Sequence, residues 1–389
     1  MNKSRPHIAN RMQHIEPFYV MDLLARARAL EASGRSVIHM EIGEPDFITP
    51  DPIIQAGKAA LDAGHTHYTN AMGLPALREA ISTYYKEHYK VDVPIERIVI
   101  TPGASGALQL AFGVLIDPGD QILMTDPGYP CNRHFVRLFE GDPVLIPVNH
   151  TTDYQLTIEQ IETHWTPRTR GILVASPANP TGALVKHKNL EKLHAMGQSR
   201  GGHLIVDEIY HGLVYDNEPT TALSVSDDIF VINSFSKYFG MTGWRIGWMV
   251  VPEAYVRSVD VLAQNIFLAA STPAQYAALA AFEEDTLAIL DQRRHEFQAR
   301  RNFLLPELRE TGFDIPVTPE GAFYLYADSS RIADDSFALA NDLLEKVGVA
   351  VTPGKDFGNN APEKHIRFAY TTSMNNLEEG VRRIREYIG

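Results

Sequence analysis

Gly171-Ile-Leu-Val-Ala175, His203-Leu-Ile-Val206 and Ile229-Phe-Val-Ile-Asn233 are three short apolar runs within 171–233, and a helix-patterned segment, 189–198, separates the first two. The runs are continuous rather than alternating, as strands buried on both faces are. Such strands are parallel, and a parallel pair needs a crossover of about a dozen residues or more, usually a helix. Working outward, similar runs lie at 98–100, 121–124, 144–148 and 246–251, with a further helical pattern at 75–88. Together they predict an α/β domain with a mostly parallel, doubly wound sheet.

Beyond 284 the pattern changes. One long amphipathic helix is expected over 285–310, strands near 322–327, 349–351 and 365–370, a helix over 336–347 and a last helix from Asn376. This is a smaller α+β domain. The division expected is 1–45 as an N-terminal arm and part of the small domain, 46–284 as the large domain and 285–389 as the small C-terminal domain. No internal repeat, low-complexity tract or Gly/Ser-rich linker separates them, so the two lobes should pack tightly.

With 389 residues, 44 % hydrophobic and 21 % charged, the chain excludes a disordered protein or a small stapled scaffold. Thirty-five Lys and Arg against 48 Asp and Glu leave a formal charge of -13, so the mean surface field repels nucleic acid and anionic membranes. An anionic ligand therefore needs a local cationic pocket. Cys131 is the only cysteine, which rules out an intrachain disulfide and fits a reducing compartment. The polar stretch 1–18 lacks the apolar run of a secretory signal, and the longest uncharged stretch, 261–282, carries Gln264, Asn265, Ser271, Thr272, Pro273 and Gln275, too polar for a bilayer span. A cytoplasmic protein is expected.

The densest chemical signal is Asn233-Ser-Phe-Ser-Lys-Tyr-Phe-Gly-Met-Thr-Gly-Trp-Arg-Ile-Gly247, which starts at a strand's C-terminal end. Strand ends of that kind are where open α/β sheets bind ligands. Hydroxyls (Ser234, Ser236), an amine (Lys237), a guanidinium (Arg245) and glycines that admit close backbone approach make an anion cup beside a single amine. For Lys237 alone, a solvated surface turn would be the better reading. Asp207-Glu-Ile-Tyr210 puts an acid at another strand end, where it could equally cap a helix. Ser176-Pro-Ala-Asn-Pro-Thr-Gly182 closes a third and could be an ordinary turn. Thr101-Pro-Gly-Ala-Ser-Gly-Ala107 opens a helix whose Ala104 and Ser105 amides could hold a phosphate. Tyr129, in Asp126-Pro-Gly-Tyr-Pro130, adds an aromatic. The combination suits one planar, phosphorylated, aldehyde-bearing cofactor.

These residues resemble the class I/II aminotransferases, the fold type I enzymes dependent on pyridoxal 5'-phosphate. The likeness spans nearly the whole chain, from Glu41-Ile-Gly-Glu-Pro-Asp46 through Tyr68, Asn179-Pro-Thr-Gly182, Asp207-Glu-Ile-Tyr210 and Ser236-Lys237 to Ile366-Arg367-Phe368. The resemblance implies that Lys237 links to the cofactor and Asp207 pairs with the ring nitrogen. It implies further that Asn179 and Tyr210 bond the ring oxygen, and that Tyr129 stacks on the ring. The phosphate is expected on Ala104, Ser105, Ser234, Ser236 and Arg245, with Tyr68 reaching it from a second subunit of a homodimer. Arg367 is expected to take the substrate α-carboxylate, with the Gly43 backbone nearby. Strand alternation supports this, since Arg367 points away from Ile366 and Phe368.

The activity implied is transfer of an amino group from an L-amino acid to a 2-oxo acid by ping-pong half reactions. A lyase on the same scaffold, such as a carbon-sulfur β-lyase or a cyclopropane-forming synthase, and a cofactor-binding regulator without activity remain alternatives. No second arginine is placed for a side-chain carboxylate, while Phe18, Phe267 and Tyr324 could lie near the pocket, which favours apolar or aromatic substrates. His65 and His67 lack a third ligand at metal-binding spacing, so no metal is expected. Neither a dinucleotide fingerprint nor a P-loop occurs. Cys131 is expected to be an inert, buried thiol.

Overall fold

The computed structural model describes residues 7–389. Its strands are β1 (Ile38–His39), β2 (Ile98–Thr101), β3 (Gln121–Asp126), β4 (Asp142–Pro147), β5 (Thr169–Ala175), β6 (His203–Asp207), β7 (Ile229–Ser234), β8 (Gly247–Val250), β9 (Tyr324–Asp328), β10 (Val349–Ala350), β11 (Thr352–Pro353) and β12 (His365–Ala369). A seven-stranded sheet runs in the order β2-β8-β7-β6-β5-β3-β4. The chain steps outward from β3 to β4 and then returns to the other side of β3 for β5, which creates the switch point where such sheets bind ligands.

Every residue of β7 and β2 is buried, and Leu204, Ile205 and Val206 of β6 are fully so. Burial on both faces is why these runs do not alternate, and each Val or Ile so placed contributes roughly 1.5 to 3 kcal/mol. Two expectations need correction. β8 lies antiparallel to both β7 and β2, not parallel. The connection 235–246 contains no helix to carry it over the sheet, so the chain turns back instead. β4 is also only part-buried, because it is the sheet edge.

The long helix Glu284–Glu310 leads to the smaller layer, where β11-β12-β9 form an antiparallel sheet and β1 pairs in parallel with β10. Leu290, Phe297, Leu304 and Leu308 of the helix lie on the buried stripe that its spacing demands. The helix Tyr19–Ala32 is tied down at its start, where Asp356 accepts the Tyr19 and Val20 amides at 2.8 and 2.9 Å. A carboxylate there meets both the orphan N–H groups and the positive end of the helix dipole.

Candidate active site

The C-terminal ends of β5, β6 and β7 open into a cavity of about 380 Å³. Lys237, on the turn between β7 and β8, donates from Nζ to the Gly43 carbonyl at 2.6 Å. Burial pushes its pKa down to about 8, helped by Arg367 and Arg245 and opposed by Glu44 and Asp207. An amine with that pKa is half unprotonated at pH 8, which a nucleophile near neutrality requires. In the cofactor-free protein, acylation of Lys237 by a neutral reagent is therefore expected to rise with pH to a midpoint near 8, read by peptide mass mapping. A midpoint near 10.5 would show an ordinary solvated amine.

Asp207 ends β6, is 5 % exposed, and its carboxylate accepts only the Ile209 amide, at 3.1 Å. Burial pushes its pKa up to about 6, with the Ile209 bond and Lys237 pulling the other way. A carboxylate so thinly partnered is complementary to a cation in the cavity.

The opposite end of the cavity is built for an anion. The helix Gly103–Leu115 starts directly after β2 and presents Ala104 and Ser105 to the cavity. Arg245 holds a left-handed backbone, φ +53°, a costly conformation of the kind found at ligand clamps. Its guanidinium lies against Gly103, itself at φ +68°, where a Cβ would sit 2.8 Å from Nη2. A side chain here would strain the backbone and push the Arg245 guanidinium from its place.

Arg367, on β12, is 2 % exposed and spans the remaining wall. It donates to Asn179 Oδ1 at 3.0 Å, to Thr352 Oγ1 at 3.3 Å and to the Glu41 carbonyl, while Nε has no partner. Its guanidinium stacks 4.3 Å from the Tyr324 ring centre. The Tyr324 hydroxyl bonds that of Tyr210 at 2.8 Å and lies so close to Gly43 that a Cβ there would be 2.0 Å away. Phe18 meets Tyr129 edge-on, ring centres 6.4 Å apart.

The cavity thus gathers Gly43, Ala104, Ser105, Tyr129, Asn179, Asp207, Tyr210, Ser236, Lys237, Arg245 and Arg367, together with Phe18 and Tyr324. Ser234 stands one layer behind, its hydroxyl engaged with Ser236 Oγ at 3.0 Å and the Ile246 carbonyl at 3.2 Å. Tyr68 lies outside the cavity and is 82 % exposed. Phe267 packs under the helices instead of lining the cavity. His65 stacks on Tyr276 at 4.0 Å, and among the described residues no group of three or more His, Cys, Asp or Glu could hold a metal. Cys131 is part-buried beside Tyr129. Reading the sequence missed Val20, Met21, Ile42, Leu108 and Ile209, apolar wall residues that carry no chemical signal, and also Glu44 and Thr242, bonded to each other at 2.5 Å.

The family model for aminotransferases of class I and II matches residues 35–384. The chain belongs to that family. It is 37 % identical over 384 residues to the (5-formylfuran-3-yl)methyl phosphate transaminase of Methanocaldococcus jannaschii, covering 98 % of this chain and 99 % of that one. It is 37 % identical over 376 residues to a valine–pyruvate aminotransferase of Mycobacterium tuberculosis, covering 96 % and 97 %. A crystal structure of an aminotransferase from Mycobacterium tuberculosis matches with a TM-score of 0.95 at 36 % identity, covering 99 % of both chains.

The protein is accordingly a pyridoxal-phosphate-dependent aminotransferase of fold type I. When bound, pyridoxal phosphate supplies an aldehyde that captures the amine covalently and a cationic ring that draws off the electron pair left at Cα. The cavity fits such a group, with an anion cradle at Gly103 and Arg245, a thinly partnered carboxylate at Asp207 and a half-neutralised amine between them. The relatives named above are all transaminases or aminotransferases, which favours transamination over the lyase and regulator alternatives.

Proposed function

We propose that Lys237 would hold the cofactor covalently and, once freed by substrate, would carry the proton that leaves substrate Cα. Asp207 holds the ring-nitrogen proton, Asn179 and Tyr210 bond the ring oxygen, and Tyr129 covers the ring face. Ala104, Ser105, Ser236 and Arg245 bind the phosphate, and Ser234 orients Ser236. Arg367 takes the α-carboxylate beside the Gly43 backbone. The observation that carries this reading is the unpartnered Nε of Arg367, buried in the same cavity as Lys237 and Asp207. Domain limits at 45/46 and 284/285 fit the assignment, since the seven-stranded sheet lies wholly within the middle segment.

The donor we infer has an apolar or aromatic side chain. Phe18, Val20, Met21, Ile42, Leu108 and Ile209 line the wall, and the two guanidinium groups facing it are already assigned to phosphate and α-carboxylate. Given such a donor and no 2-oxo acid, the enzyme should stop after one equivalent of 2-oxo acid per site and release no ammonia. Continuous ammonia release would contradict the assigned proton path. A donor panel in which aspartate outpaces leucine and phenylalanine would overturn the side-chain inference.

The assembly proposed is a homodimer working in the cytoplasm. Ile48 and Tyr68 are large apolar side chains left 79 % and 82 % exposed, and their burial would favour association with a second copy. Among the described residues, no helix is long and apolar enough to cross a membrane. Tyr68→Phe should leave the dimer intact and weaken cofactor retention by about tenfold, the worth of one hydrogen bond to a charged group at ~1.5 kcal/mol. Dialysis against a competing amine measures it, and unchanged retention would return Tyr68 to a packing role.

A further inference from the structure

Directly behind Asp207 lies a second buried acid, Glu208, which the chemistry above does not use. It is 1 % exposed, and its carboxyl accepts the Ala222 amide at 2.7 Å and the Thr221 hydroxyl at 2.9 Å. The remaining neighbour of Oε2 is His211 Nδ1, 3.4 Å away on a ring 2 % exposed. That nitrogen has no hydrogen-bond partner, and the ring's other bond is to the Thr220 backbone. Among the described residues, no lysine or arginine bonds Glu208. The titratable groups facing it are Asp207 on its own strand, Tyr85 and Tyr89 from the segment Tyr85–Tyr89, and His211. Tyr85 is tied to Trp248 Nε1 at 3.3 Å, and the Tyr89 ring centre stands 5.3 Å from that of His211.

Lys237 offsets the charge of Asp207, but among the described residues no lysine or arginine bonds Glu208, and a buried carboxylate without a cation is disfavoured. One proton must stay, and the lone pair on His211 Nδ1 gives it an acceptor. We propose that Glu208 and His211 hold a single proton between them, forming a neutral positioning pair that leaves the negative charge on Asp207 alone. The inference rests on the role assigned to Asp207 above. Burial pushes the Glu208 acid up to about 8 and the His211 imidazole down to about 4, so both are uncharged near neutrality.

The linkage has a definite sign. Glu208 titrates at about 8 in the fold against 4.5 unperturbed, so the stability it contributes falls as pH rises through that window. His211 titrates at about 4 against 6.5, so its contribution is lost as pH falls through that one. Of this pair only Glu208 acts between pH 6.5 and 8, and elsewhere in the fold His39, raised to about 9 by its bond to Glu41, adds a fall of the same sign.

The test uses infrared and absorption spectroscopy. The cofactor-free protein at pH 7 should show a protonated-carboxyl C=O band that is absent in Glu208→Gln. Its Tm should fall more steeply from pH 6.5 to 8 in the wild type than in Glu208→Gln, where the His39 slope remains. Should that variant not fold, 15N NMR of the wild type decides, since His211 must stay neutral down to about pH 4. In the loaded enzyme, the pH titration of cofactor absorption should have a step near 8 that Glu208→Gln lacks. Absence of the infrared band, a protonated His211 at pH 6, or identical absorption titrations would each overturn the proposal. Asp207→Asn separates the two readings, because an unchanged cofactor spectrum there would sink the Asp207 assignment while leaving the infrared result standing.

Discussion

Lys237→Ala should lose at least about a thousandfold in kcat while keeping its fold. The amine does two jobs in the proposed mechanism, covalent capture and proton carriage at Cα, and positioned proton transfer alone contributes ~10²- to 10⁴-fold. No neighbour can stand in, since the other basic groups on the cavity wall are Arg245 and Arg367, which do not deprotonate. The fold should tolerate the change. Lys237 loses only its bond to the Gly43 carbonyl, and with it goes the penalty of desolvating an ammonium whose pKa burial has already lowered. Tm should therefore hold or rise slightly, and a single-turnover assay with excess donor should show 2-oxo acid forming at a small fraction of the wild-type rate. A rate within tenfold of wild type would mean that another group moves the proton.

The second large effect is expected at Arg367. Truncation to alanine would leave the substrate carboxylate unpaired in a buried site, at a cost of roughly 2 to 5 kcal/mol. That is a fall in kcat/KM of about 30-fold to several thousandfold. Donor and acceptor share the α-carboxylate, so both half reactions should suffer alike, and an amine lacking a carboxylate should be nearly unaffected. Arg367 also braces Asn179 and the Glu41 carbonyl, so the alanine variant needs a companion. Arg367→Lys keeps the charge but not the planar fork, and it should recover only part of the loss. A defect confined to one donor, or an unchanged kcat/KM, would reduce Arg367 to a structural residue.

The sequence makes the reacting end of the cavity legible because each group there sits at the end of a strand whose apolar run announces it. Asp207 follows Leu204, Ile205 and Val206, and Lys237 follows β7 by three residues. Arg367 is legible through strand alternation, since Ile366 and Phe368 face the core. What is not legible depends on the third dimension. The reversal of β8 turns on a connection, 235–246, that forms no helix to cross the sheet, although the β8 residues look like those of any buried strand. Ser234 and Ser236 read alike, yet β7 ends at Ser234 and the turn that follows carries Ser236 to the cavity, while the Ser234 hydroxyl reaches the Ile246 carbonyl. Val20 and Met21 have no chemical signature, and partners distant in sequence, Asp356 at the first turn and Leu344 and Ala350 against Leu23 and Ala27, bring their helix to the site.

Lys237 and Arg245 share one short turn whose ends are pinned by the Ser234–Gly247 pairing, so the amine and the anion clamp are fixed to each other by backbone. Three of the apolar residues proposed to meet a substrate's side chain, Phe18, Val20 and Met21, come instead from the start of the helix Tyr19–Ala32, whose first turn is held by the Asp356 carboxylate. In the proposed function, part of the selection therefore sits on a piece of chain separate from the reacting turn. Exchange of residues 18–21 between relatives should redirect the choice of amino donor while the transfer step keeps its rate, which gives a route by which duplicated copies of one ancestor could diverge in diet without relearning the chemistry.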